Sequence, residues 1–127
     1  MNEFSQEVIA AANSDREVSF ATNGRKTGKP SDVTIFVVTD GKHLYILSGQ
    51  GMARQWPQNL EARGEGVLHL GGQDVKVKAR HVTDPAETRR VSELYGSKYG
   101  PKFGSPQPGD PPRLSEQATF ELIPAGS

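Results

Sequence analysis

The run Val33–Thr39 (VTIFVVT) is apolar at successive positions, so a strand built from it needs cover on both faces. It is followed at once by Asp40-Gly41, a pair suited to the backbone of a tight hairpin. A second strand-like run, His43–Ser48 (HLYILS), comes next. Strands joined this closely pair antiparallel, because a parallel crossover needs about a dozen residues and usually a helix. Repeated tight turns between later strands extend the same conclusion and exclude a doubly wound parallel sheet.

The remaining segments fit that frame. Glu17–Thr22 alternates, with Val18 and Phe20 on one side. Gly66–Leu70 reads as a strand, and Gly71-Gly72-Gln73-Asp74 turns the chain into Val75–Val82. There Val75, Val77 and Ala79 face inward and Lys76, Lys78 and Arg80 outward. Ala118–Ile123 makes a last strand, stopped by Pro124. Three helices are expected. The first, over residues 3–13, carries Phe4, Val8, Ile9, Ala11 and Ala12 roughly on one face. The second covers 56–62, with Pro57 in its first turn and Gly64 at its end. The third opens at Asp84-Pro85-Ala86-Glu87, where a capping Asp, a Pro and a Glu three residues after the cap agree. Its buried stripe is Val91, Leu94 and Tyr95, and Gly96 is expected to end it. Residues 100–113 (GPKFGSPQPGDPPR) hold no regular structure and read as a lid or as disorder. The expected architecture is mainly β with peripheral helices, a six-stranded antiparallel barrel. It forms one domain over 1–127, with the N-terminal helix inside 1–16 and a loop over 100–117.

Composition narrows the function. Fifteen basic and fifteen acidic side chains cancel, so any anion site is local rather than a property of the whole surface. The Lys76, Lys78, Arg80 stripe has no interleaved aromatics, which argues against nucleic acid. Without cysteine, thiolate catalysis and Cys-ligated metals are excluded. His43, His69 and His81 fall on three different strands with no i, i+4 pair, so no metal is expected. Met1–Asp15 is amphipathic with two Glu, unlike a secretion signal, and no apolar run approaches the roughly 20 residues of a membrane span. A cytoplasmic protein that does not enter membranes is the expectation.

Two polar segments can carry chemistry. Gly24-Arg25-Lys26-Thr27-Gly28-Lys29-Pro30 sets three cations and a hydroxyl between two glycines. Such a loop can cradle a phosphate with backbone N–H groups and the Arg fork, although it lacks the P-loop spacing. A soluble hairpin tip is the other reading. The second segment is Ser48–Asn59 (SGQGMARQWPQN), which runs into a helix start that favours anions. Gly49 and Gly51 allow close backbone approach, Met52 and Trp56 can cover an aromatic ring system, and Arg54 can reach a phosphate. Core packing is the competing role for Trp56, and backbone capping for Asn59. No nucleophile–base pair stands out, so an enzyme of this kind leaves the hard chemistry to a cofactor.

In order and spacing these pieces resemble the FMN-binding split-barrel superfamily. Within it they are similar to the deazaflavin-dependent nitroreductase-like proteins and their small uncharacterised relatives. The motifs are Thr22-Asn23-Gly24-Arg25-Lys26-Thr27-Gly28-Lys29-Pro30, Trp56-Pro57-Gln58-Asn59-Leu60-Glu61-Ala62, Tyr95-Gly96-Ser97-Lys98-Tyr99-Gly100 and Ala118-Thr119-Phe120-Glu121-Leu122-Ile123-Pro124. The resemblance spans roughly residues 17–124 and implies a split barrel holding a flavin-type coenzyme in a groove. By that resemblance Arg25, Lys26, Thr27 and Gly28 contact its phosphate tail. Ser48, Gly49, Gln50, Gly51 and Met52 line the ring and ribityl region, with Arg54, Trp56 and Asn59 nearby. Relatives usually carry Arg at position 31, Pro at 34 and Asn-Pro at 63–64; here stand Ser31, Thr34 and Arg63-Gly64. Losing an Arg weakens the hold on an anionic tail, and Thr34 gains a hydroxyl for the ring.

The implied activity is hydride transfer from a deazaflavin coenzyme (F-420) or FMN to a small organic acceptor of nitro or quinone type, the protein being a possible homodimer. The proton for the product comes from solvent, or from Tyr95 or Tyr99 if the third helix and its tail close over the groove, with packing as the competing role of the two Tyr. The alternative is a non-catalytic split-barrel module that carries a flavin, a haem or nothing.

Overall fold

The computed structural model describes residues 4–14, 17–23, 30–48, 55–70, 72–99 and 118–124. In chain order these form α1 (Gln6–Ser14), β1 (Glu17–Asn23), β2 (Pro30–Thr39), β3 (Leu44–Leu47), α2 (Gln55–Arg63), β4 (Glu65–Leu70), β5 (Gln73–Val82), α3 (Pro85–Tyr99) and β6 (Thr119–Pro124). The six strands close into a barrel in the order β1-β2-β3-β6-β5-β4, and every neighbouring pair is antiparallel. The expected six-stranded antiparallel barrel with three helices is therefore the observed one.

Alternation builds the interior. Val18 and Phe20 of β1, Leu44 and Ile46 of β3, and Phe120 and Leu122 of β6 all turn into a single apolar core. Helix α2 plugs it with Trp56 and Leu60, and α1 adds Val8 and Ala12. A second cluster lies outside the barrel wall: Val38, Tyr45 and Val82 meet Val91, Tyr95 and Tyr99 of α3. This explains the doubly apolar run on β2. Val37 points into the barrel and Val38 lies beneath α3, both essentially inaccessible to water.

Local chemistry fixes the ends of the elements. Ser5 caps α1 by accepting the Val8 N–H on its hydroxyl at 3.2 Å. The β2–β3 turn has Gly41 at φ +96°, and Asp40 accepts the Lys42 and His43 amides at 3.0 and 2.7 Å. Burial pushes the Asp40 carboxyl up, but those two amides and the His43 ring outweigh it and hold the group below its ordinary value. Gly64, at φ +73°, ends α2 and donates to the Leu60 carbonyl at 2.6 Å. Asp84 caps α3, accepting the Glu87 amide at 3.0 Å. Asp84→Ala is expected to lower stability by about 1 kcal/mol, and Asp84→Asn by much less, read as shifts of the thermal midpoint.

Of the boundaries that differ from the sequence expectation, two have a visible cause. Strand β2 begins at Pro30 rather than Val33, because Ser31 and Asp32 pair with Thr22 and Ala21 of β1. Helix α3 runs through Gly96 to Tyr99. Its last turn is held from outside: Tyr99 donates its hydroxyl to the Val37 carbonyl at 2.6 Å, and Lys98 reaches both Val37 and the Ala12 carbonyl of α1. Those tertiary bonds outweigh the weak helix preference of one glycine. The expected lid over 100–113 lies outside the described residues.

Candidate functional site

Strand β2 changes neighbours halfway along. Residues Pro30–Phe36 pair with β1, whereas only Val37, Val38 and Thr39 pair with β3. The four residues of β3 are too few to follow the ten of β2. The Ser48 N–H donates to the Ala118 carbonyl at 3.1 Å, which continues the pairing with β6 after the pairing with β2 has stopped at Ile46. The result is a fork between β2 and β3.

Helix α3 stitches this fork from the outer face. The Tyr95 hydroxyl donates to the Phe36 carbonyl and accepts the Leu47 N–H at 3.2 Å. Burial pushes the Tyr95 phenol well above its ordinary value, and Tyr99 adds to the rise against the Leu47 amide. Tyr95 and Tyr99 are thus bonded to the backbone of β2, in keeping with the packing role weighed for them in the sequence.

Both segments picked from the sequence are rooted here or near it. The basic loop joins Asn23 of β1 to Pro30 of β2, which pair with each other. The second loop leaves Ser48 at the fork and enters α2. Arg25, Lys26, Thr27, Gly28, Gly49, Gln50, Gly51, Met52 and Arg54 lie outside the described residues. Ser48 is 3 % exposed, and its hydroxyl has no partner among the described residues. Thr22, two residues before the basic loop, is 2 % exposed with a hydroxyl in the same condition. Sequence reading passed over Thr22, although it lies in phase with Val18 and Phe20 and so faces the barrel. A buried hydroxyl without a partner is costly and calls for a ligand or water. Such groups suit the carbonyls and ring nitrogens of a flavin-type coenzyme.

The other candidates separate. Thr34 is exposed on β2, out of phase with the inward-facing Ile35. Trp56, 5 % exposed, lies edge-on to Phe20 with ring centroids 6.3 Å apart and packs at 6.2 Å from Phe120. Asn59 is buried one turn further along α2. The core-packing role weighed for Trp56 is the one its contacts display. Each histidine has a carboxylate neighbour: His43 with Asp40 at 3.0 Å, His69 with Asp74 at 2.6 Å and His81 with Glu61 at 3.3 Å. Outside α3's apolar stripe, Arg80 bridges Glu87 and Glu121, and Arg90 donates to the Tyr45 hydroxyl at 2.8 Å. These ion pairs and this hydrogen bond tie α3 to β3, β5 and β6.

A closed six-stranded barrel with this fork is a split β-barrel. Residues 8–113 match the family described as "Uncharacterized protein conserved in bacteria (DUF2255)", and the chain belongs to that family. No curated protein matches the chain. Solved structures share the fold. An F-420-dependent reductase is 20% identical, with a TM-score of 0.60 over 84% of this chain and 92% of that one. The haem storage protein HutZ of Vibrio cholerae is 19% identical, with a TM-score of 0.67 over 95% and 89%. A FAD-binding protein of Mesorhizobium loti is 16% identical, with a TM-score of 0.65 over 99% and 93%. Among the described residues no helix is long and apolar enough to cross a membrane.

Proposed function

We propose that this chain binds a flavin-type coenzyme at the fork, the deazaflavin F-420 or alternatively FMN, and serves as an oxidoreductase acting on a small organic acceptor. The observation that carries this reading is the buried hydroxyl of Ser48, without a partner among the described residues, at the point where β2 and β3 part. When bound, the coenzyme supplies hydride chemistry that none of the twenty side chains offers. The protein's part is to bind, orient and exclude water. Arg25, Lys26 and Thr27 hold the anionic tail, with Gly28 letting the backbone N–H groups turn toward it. Ser48 hydrogen-bonds the ring, and Gly49, Gln50, Gly51 and Met52 bring backbone and a soft side chain against it. Arg54 supports the tail, and Asn59 and Trp56 brace the loop from α2. Thr34 lies near the ring edge on β2. A homodimer working in the cytoplasm fits this reading.

The bonded state of Tyr95 and Tyr99 favours a second reading, a split-barrel module that carries its ligand without turning it over. One experiment separates the two. Pure protein is titrated with F-420 and with FMN, following coenzyme fluorescence, and the saturated complex is then mixed with nitro and quinone acceptors. Saturable binding that weakens about tenfold or more in Arg25→Ala, about the loss of one charge-assisted contact, supports the site. Binding without turnover selects the module, and binding of neither coenzyme removes the oxidoreductase reading.

A further inference from the structure

We propose that Tyr95 sets the opening of the fork, and through it the position from which Ser48 meets a ligand; the ligand clause rests on the coenzyme site proposed above. Regular pairing of β2 with β3 stops at Val37 and Ile46. Continued by one step, it would bring the Leu47 N–H onto the Phe36 carbonyl. The Tyr95 hydroxyl stands between them instead, accepting from the first and donating to the second. A hydroxyl suits this place because it donates one hydrogen bond and accepts another. Two bonds in series hold the strands further apart than the direct bond of about 2.9 Å would. Tyr95 is therefore a spacer that replaces one rung of the ladder. Its own position is fixed: it is 1 % exposed, packs at 5.6 Å from the Tyr99 ring, and rides on a helix anchored to Val37 and Ala12.

The consequence falls on the next residue. Without the spacer, the nearest acceptor for the Leu47 N–H is the Phe36 carbonyl, and the ladder zips by one rung. Ser48 is then drawn toward Ile35. Tyr95 is a positioning residue in this account, acting on a ligand only through Ser48.

Tyr95→Phe removes the oxygen and keeps the ring, and Tyr99→Phe, which removes one bond to the Val37 carbonyl and leaves that from Lys98, is the control. Amide exchange and cross-strand NOEs at Leu47 report the rung, and titration with F-420 and FMN reports the ligand. The expected result for Tyr95→Phe is a new Phe36–Leu47 cross-strand contact, a Leu47 amide at least as protected as before, and coenzyme affinity down about tenfold or more. Tyr99→Phe is expected to lose stability yet bind as the wild type does. Faster Leu47 exchange in Tyr95→Phe without the new contact, or equal binding by the two variants, overturns the proposal. Should Tyr95→Phe not fold, an NOE in the wild type between the Tyr95 hydroxyl proton and the Leu47 amide upholds it, and the absence of that NOE overturns it. If the wild type binds neither coenzyme, the coenzyme site fails and the ligand clause with it. The Leu47 measurements still uphold or overturn the spacer.

Discussion

Trp56→Ala lowers the stability of the domain by about 3–5 kcal/mol, measured by urea unfolding followed by circular dichroism. The indole is the centre of a run of rings through the barrel. Phe20 meets it edge-on, Phe120 packs on its other side, and His81 stacks on Phe120 with centroids 4.8 Å apart at 21°. Removing it leaves a cavity between β1, β6 and α2 that these neighbours cannot close without breaking their own contacts. Against a total stability of about 5–15 kcal/mol for a domain, the loss brings the variant close to unfolding. Trp56→Phe keeps an aromatic ring in the gap and is expected to cost clearly less. The prediction also bears on function, because a tryptophan that chiefly covered a coenzyme would behave in the opposite way. Its removal would abolish binding and leave unfolding nearly unchanged. A loss below about 1 kcal/mol in Trp56→Ala, small for a buried ring, would therefore return the indole to the ligand.

The wall of this barrel is legible in the sequence because a strand's period of two writes its two faces directly, with Val18 and Phe20 or Val75 and Val77 inward and Lys76 and Lys78 outward. The turn at Asp40-Gly41 and the cap at Asp84 are legible for the same local reason. The fork is not. Pro30–Thr39 reads as one strand, and nothing within it marks Phe36 as the residue where its neighbour changes. That change is imposed by the brevity of β3 and by a hydroxyl contributed from α3, 59 residues further along the chain. Gly96 misleads in a similar way, since the bonds that carry α3 past it come from Val37 and Ala12. The site is half legible: the basic and small-residue loops announce themselves by composition, while the hydroxyls of Thr22 and Ser48, without partners among the described residues, depend on burial that only the closed barrel creates.

Gly66→Ala costs about 3 kcal/mol, the upper end of what overpacking usually does, although Ala is otherwise the better strand residue. Gly66 sits near the start of β4, where pairing with β1 has ended one residue later at Val67. A Cβ added there would lie 2.6 Å from Cζ of Phe20, 2.8 Å from its Cε1 and 2.8 Å from the carbonyl oxygen of Ala21. Neither neighbour can yield alone. The Phe20 ring is 0 % exposed and already leans on Trp56, and the Ala21 carbonyl belongs to a residue paired on both sides, with Asp32 and Val67. The strain therefore passes into the ring stack or into the β1–β4 ladder. The two outcomes differ experimentally: a displaced ring changes the fluorescence of Trp56, whereas a strained ladder speeds amide exchange along Ser19–Ala21. Combining Gly66→Ala with Phe20→Leu removes the ring that the methyl would meet. The double variant is expected to be less destabilised than the two single losses added together, because the sites share one contact. Strict additivity would place the clash on the Ala21 carbonyl alone.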